Sequence, residues 1–179
     1  MLQTAAIRAE IPKLISRLNI TSVLDAPCGD FHWMSRCDLQ GVTYCGVDIV
    51  EDLIAQNRDR YASETRRFEV KNIISDPLPQ ADLVICRDCL VHLSFQQIFE
   101  ALRNFKASGS RYLLTTTFTN GTENSDLMLS KQFWRRLNLQ LPPFSIPSPH
   151  CLVVEDCTEA DGRYGDKSLG LWDLESLPV

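Results

Sequence analysis

Up to Phe118 the chain alternates short apolar runs with segments whose apolar residues recur at helical spacing, so strands and helices are expected to take turns. Leu2, Ala5, Ile7, Ile11, Leu14, Ile15 and Leu18 predict a helix over 2–18, kinked or restarted at Pro12. A strand follows at 21–25. Residues 31–37 read as a helix entered through a glycine turn, with Asp30 as its N-cap. Residues 42–48 form a second strand, and Leu53, Ile54, Asn57 and Tyr61 mark a helix over 51–63 whose positive end suits Glu51 and Asp52. A third strand spans 67–70. The almost unbroken apolar run 81–86 reads as a central parallel strand, Ser94 opens a helix on Phe95, Ile98, Phe99, Leu102 and Phe105, and 111–118 is a fifth strand.

Beyond Phe118 the pattern changes. Residues 120–126 are polar and loop-like, 127–136 suit a short helix, and 141–149 holds four of the nine prolines, which makes a rigid extended connection. Residues 152–154 and 169–174 then read as two strands joined by a polar loop, an antiparallel edge hairpin. Strands alternating with helices predict an α/β sheet covered on both faces, built as one domain over 1–179.

Composition narrows the class without changing that picture. A domain of 179 residues buries roughly 70% of the surface of its unfolded chain, so no staples are needed. The net charge of −5 gives no general attraction to nucleic acid, and no apolar run is long enough for a membrane span. Seven cysteines, an odd number scattered through apolar runs, point to free thiols in the reducing cytoplasm. Cys86 and Cys89 have the spacing of a metal or redox pair but no second pair beside them, so they read as packed thiols, and no metal site is expected.

The chemistry gathers at strand tips. Val23-Leu24-Asp25 runs into a turn containing Gly29, where backbone N–H groups and a missing side chain let a ligand approach. A dinucleotide turn needs three glycines, whereas the comparable positions here are Pro27, Gly29 and Phe31, so a diphosphate has no smooth cradle. Asp48 ends the second strand 19 residues after Gly29, the spacing at which a carboxylate accepts bonds from ribose hydroxyls. An adenosine without phosphates satisfies both facts.

Asp25-Ala26-Pro27-Cys28-Gly29-Asp30-Phe31, Asp48, Asn72-Ile73 and the segment from Asp82 to Leu93 together resemble the class I S-adenosylmethionine-dependent methyltransferases. The first motif matches in its acid and central glycine, with Pro and Phe in place of flanking glycines. The resemblance implies a three-layer α/β sandwich around a Rossmann-like, seven-stranded, mostly parallel sheet that ends in an antiparallel hairpin. It also implies S-adenosylmethionine as cofactor. On that pattern Asp25 and Gly29, with Cys28 and Asp30 beside them, line the methionine part. Asp48 and the adjoining Ile49 meet the ribose, Asn72 reaches the adenine amino group, Ile73 packs on the ring, and the backbone at Arg87 passes the cofactor.

Asp88 and His92 then face the reaction centre, and the 119–150 connection shapes the acceptor site, with Arg135 and Asn138 as substrate candidates. The expected reaction is methyl transfer to a small-molecule acceptor by in-line displacement. Two alternatives stay open. One is a catalytically silent cofactor-binding module, because Pro27 and Phe31 crowd the methionine tail. The other is an NAD-dependent oxidoreductase, against which stand the missing glycines and the lack of a Tyr-x-x-x-Lys pair at Tyr44, Tyr61, Tyr112 or Tyr164. Oligomeric state has no signature in the sequence.

Overall fold

In the computed structural model, which describes residues 4–127 and 133–179, the apolar runs become seven strands. They are β1 Ser22–Asp25, β2 Thr43–Asp48, β3 Arg66–Val70, β4 Leu83–Cys86, β5 Tyr112–Phe118, β6 Cys151–Val154 and β7 Lys167–Asp173. One sheet holds all of them in the order β3-β2-β1-β4-β5-β7-β6. The first five pair in parallel, and β7 inserts antiparallel between β5 and β6. The strand order reverses beside β1. Ligands of open α/β sheets bind at such a point, outside the strand C-termini.

Three layers result. On one face, α1 Ala5–Leu18 buries Ile7, Ile11, Leu14 and Ile15 against Val23, Leu83, Ile85 and Leu114, and α2 Glu51–Tyr61 contributes Ile54. The first helix continues through Pro12 without a restart; residues 2 and 3 of the expected span lie outside the described residues. On the other face, α3 Phe95–Ala107 buries Ile98, Ala101, Leu102 and Phe105. Its start is set by a capping box: the Ser94 side chain accepts from Gln97 N while the Gln97 side chain accepts from Ser94 N.

Two expectations need correcting. Between β1 and β2 there is no α-helix, only a 3-10 turn at Met34–Arg36, and Asp30 accepts from His32 N at 3.0 Å as a turn rather than an N-cap. Phe31 decides this. Its backbone is left-handed, at φ 56°, which turns its fully buried ring into an aromatic group with Tyr44, Tyr61 and Phe68 and stops a helix from starting. The helix expected over 127–136 falls mainly on 128–132, outside the described residues, and Phe133 to Arg136 are not helical.

The proline-bearing connection is not a bare linker. Leu137, Leu139, Phe144 and Ile146 are buried against the α3 face, and Phe144 meets the rings of Phe95 and Phe99. Phe118 N donates to Leu137 O at 2.7 Å and Leu139 N to Thr117 Oγ1 at 3.2 Å, so the segment is laced to the end of β5. The apolar connection does the covering that a further helix would otherwise do.

Candidate active site

The turn after β1 is clamped from three sides. Cys28 N donates to Val47 O at 2.8 Å, Asn57 Nδ2 from α2 donates to Gly29 O at 2.7 Å, and Gly29 N donates to Asp48 Oδ2 at 3.2 Å. The second Asp48 oxygen accepts from Val50 N at 3.0 Å. A carboxylate has about four lone-pair positions, so each oxygen keeps room for a further donor. Gly29 adopts φ 54°, and a Cβ placed on it would meet nothing within 4 Å, so the space over the turn is open. Phe31, expected to crowd that space, is instead packed beneath it in the core.

Close approach of this turn to β2 depends on Gly46. A Cβ there would lie 2.8 Å from the Phe68 ring and 3.0 Å from Cys28 Cβ. Gly46→Ala is therefore expected to cost about 1–3 kcal/mol by overpacking. A thermal melt checks this, and an unchanged midpoint would mean that the turn does not rest on β2 as described.

Asp25, at the tip of β1, is fully buried and accepts a 2.6 Å hydrogen bond from the Tyr44 hydroxyl. Burial pushes its carboxyl up to about 7, against the opposing pull of the Tyr44 hydroxyl and the Arg87 charge. In the unfolded chain the same group titrates near 3.8. The folded state thus binds the proton more tightly, and its contribution to stability is complete below the unfolded value and is lost as pH rises through about 7. Between pH 5 and 8 the parent is expected to lose about 2–4 kcal/mol relative to Asp25→Asn. Parallel melts across that range test it; parallel curves for the two proteins would contradict the burial cause.

Beside it, the tip of β4 carries a charge network that sequence reading did not anticipate. Arg87 grips the buried Glu155 with Nη2–Oε2 at 2.6 Å and Nε–Oε2 at 3.1 Å, and Arg87 Nη2 lies 3.2 Å from Asp88 Oδ2. Lys167 Nζ binds Asp88 Oδ2 at 2.7 Å and lies 3.5 Å from Glu155 Oε2. Burial pulls the Arg87 guanidinium down, but its bonds and charges from Glu155 and Asp88 hold it above its ordinary value. Two cations and two anions balance. Asp88 is left-handed at φ 54°, held there by Thr116, whose Oγ1 accepts from Asp88 N at 2.8 Å. Its carboxylate keeps about a third of its exposure, on a cavity of about 240 Å³.

His92 borders the same cavity, in the 3-10 turn Leu90–His92. Its Nδ1 lies 2.7 Å from the Phe133 carbonyl, and since a carbonyl only accepts, Nδ1 carries a proton and, in the neutral ring, Nε2 offers its lone pair. Asp88, on the same cavity, is held by Lys167 and Arg87.

Other expected residues stand elsewhere. Arg135, expected at the acceptor, is buried: its Nη1 donates to Leu90 O at 3.0 Å, its backbone N to Val91 O at 3.1 Å, and its guanidinium lies over Phe95. Burial pulls it below its ordinary value, with Asp126 opposing. It ties the connection to the His92 turn. Asn138 is likewise turned inward, its Oδ1 accepting from Gln140 N and its Nδ2 reaching Gly121 O. Asn72 Oδ1 accepts from Ile74 N at 2.9 Å, and Ile73 is buried in the core, whereas Ile49, Val50 and Val70 stand exposed around the Asp48 tip. Cys28 is buried beneath the turn, its thiol driven up by burial and by the Asp25 and Asp48 charges. Cys86 packs beside Cys89, both as free thiols.

Residues 24–108 match the model of a methyltransferase-domain family. No curated protein matches the sequence. Among solved structures, a 1,6-didemethyltoxoflavin-N1-methyltransferase from Burkholderia thailandensis, with bound 1,6-didemethyltoxoflavin and S-adenosylhomocysteine, is similar at a TM-score of 0.67 and 18% identity over 95% of this chain and 78% of that one. The methyltransferase domain of bacterial CtHen1 is similar at 0.66 and 13% over 97% and 98%. Human N-acetylserotonin methyltransferase with S-adenosylmethionine is similar at 0.64 and 13%, over 86% of this chain and 47% of that chain. The sheet order with its inserted β7 gives the chain the fold of these methyltransferase structures, and residues 24–108, which hold the glycine turn clasped by Asp48, are similar to a methyltransferase domain.

Proposed function

We propose that the chain transfers a methyl group from S-adenosylmethionine to a small-molecule acceptor, with the donor over the β1 turn and the acceptor in the cavity bounded by Asp88 and His92. The observation that carries this reading is the pairing of sites. Ala26 N donates to Ile85 O at 2.8 Å, so the tips of β1 and β4 are adjacent, and the open turn over Gly29 neighbours the Asp88 cavity. An adenosine and an amino-acid tail fit the residues present. Asp48 has lone pairs left for the ribose, the open turn at Gly29 gives room for the charged tail above the buried Asp25, and Ile49 and Val70 give an apolar wall for the adenine next to Asn72. The bound donor supplies a methyl on a positively charged sulfur, and what remains for the protein is alignment and exclusion of water. Asp88 and Lys167 border the acceptor, and His92 Nε2 is the base for an acceptor atom that must lose a proton.

The buried position of Phe31 supports catalysis over a silent module, since the ring leaves the methionine side of the turn free. All seven cysteines are free thiols, which supports the cytoplasm as the working compartment. Among the described residues no helix is long and apolar enough to cross a membrane. The test is incubation of the protein with methyl-labelled S-adenosylmethionine and a cell extract separated into low-mass, protein and nucleic-acid fractions. Label is expected in the low-mass fraction. Label confined to a macromolecular fraction would contradict the small acceptor.

A further inference from the structure

Three aromatic rings wall the cavity beside Asp88. Trp134 meets Tyr164 edge-on at 5.2 Å between centroids, Phe118 meets Tyr164 edge-on at 6.2 Å, and Phe118 and Trp134 are inclined by only 33° at 6.4 Å. Trp134 keeps more than a third of its surface exposed, which leaves a large ring face unsatisfied by the protein. A volume of about 240 Å³ sets the scale. A cavity of roughly 150 Å³ accepts benzene, so this one suits a substituted single ring or a compact bicycle.

The polar groups lining the same cavity are just as selective. His92 Nδ1 is committed to the Phe133 carbonyl, which in the neutral ring leaves Nε2 as the acceptor. Lys167 borders the cavity as a cation already balanced by Asp88 and Glu155. An acceptor group placed between them meets a proton acceptor on one side and a fixed ammonium on the other. That combination favours a hydroxyl passing to an oxyanion, because the base takes its proton and the cation stabilises the charge left behind. The cavity also holds two carboxylates, Asp88 and Glu159, but Asp88 is already paired with Lys167 and Arg87, so a cationic amine gains less from it than a free carboxylate would give.

We propose that the acceptor is a planar aromatic alcohol, its ring against Trp134, Tyr164 and Phe118 and its hydroxyl turned to His92 Nε2 and Lys167. The inference rests on the methyl-transfer reading above. The hydroxyl proton passes to His92 Nε2 and later to solvent. An oxygen lone pair forms the bond to the methyl carbon as that carbon's bond to sulfur breaks, and the bonding pair stays on sulfur, which becomes neutral.

The experiment uses the full chain with S-adenosylmethionine and a panel of monocyclic and bicyclic phenols, cyclohexanol, aniline and an alkylamine, with S-adenosylhomocysteine release as the readout and donor binding measured by calorimetry on the same samples. Phenols are expected to react at least about tenfold faster than cyclohexanol or either amine, a margin consistent with one well-placed acid–base group. Trp134→Ala should raise KM for phenols about tenfold while leaving donor affinity unchanged, as loss of ring contact predicts. His92→Gln should slow ordinary phenols by about 100-fold or more but an electron-poor nitrophenol, already ionised at assay pH, by less than about threefold, a split that a structural role would not produce. Preference for cyclohexanol or an amine, an equal loss for both kinds of phenol, or donor binding without turnover of any phenol overturns the inference. Failure of the donor itself to bind overturns the methyl-transfer reading instead.

Discussion

Glu155→Ala is expected to lower the thermal midpoint by about 6–12 °C, the shift that roughly 3 kcal/mol produces in a chain of this size. Glu155 is only 1% exposed, and its carboxylate is the bidentate partner of a guanidinium that is itself mostly buried. Removing it leaves Arg87 without its main counter-charge, and an uncompensated buried charge is what makes such truncations costly. The loss stays near the lower end of the usual range because Asp88 remains 3.2 Å from Arg87. Catalysis should fall with stability, since the surplus positive charge of Arg87 and Lys167 would then draw Asp88 away from the cavity. Glu155→Gln keeps the shape and part of the hydrogen bonding and is expected to recover a portion of the midpoint. Equal midpoints for parent and Glu155→Ala, by calorimetric or fluorescence melt, would mean that the network is a solvated surface cluster.

Asp48→Ala should weaken S-adenosylmethionine binding by about 100- to 10,000-fold, because two hydrogen bonds to a charged acceptor are each worth roughly 1.5–3 kcal/mol. Part of that loss comes through the turn, since the substitution also frees Gly29 N and Val50 N. Asp48→Asn separates the two contributions. Its amide oxygen still accepts one backbone N–H while its NH2 faces the other, so the melt should fall by less than in Asp48→Ala, and loss of the charged acceptor should weaken binding about tenfold. Titration calorimetry of the three proteins checks this. Retained affinity in both variants would remove the ribose from Asp48.

Much of the site was readable because its signals are local. A strand ending in an acid, a glycine at a turn, and a second acid at the next strand tip lie within 24 residues, and the Asp48 to Gly29 hydrogen bond now links them. Ser94 announced the start of α3 in the same way, and Gln97 completes its capping box. What escaped is long-range or ambiguous over a short window. Arg87 and Glu155 are 68 residues apart, and nothing near either one announces the other. Residues 31–37 are too few to tell a helix from a turn, and the outcome hung on Phe31 finding Tyr44, Tyr61 and Phe68. Arg135 and Asn138 are polar side chains in an irregular segment, where sequence suggests solvent or substrate. Their burial follows from Leu137, Leu139 and Phe144 pulling the connection onto the sheet. Proline content spoke for rigidity but could not say against what.

The turn that carries Gly29 and Asp48 holds the central claim, that this chain binds an adenosine with an amino-acid tail and no diphosphate. Titration calorimetry of the unmodified protein with S-adenosylmethionine, S-adenosylhomocysteine and NAD, side by side, tests it most directly. Saturable binding of the first two, weakened in Asp48→Ala, with NAD weaker by at least about 100-fold, is the predicted result. Tight NAD binding without binding of either S-adenosyl compound would contradict it.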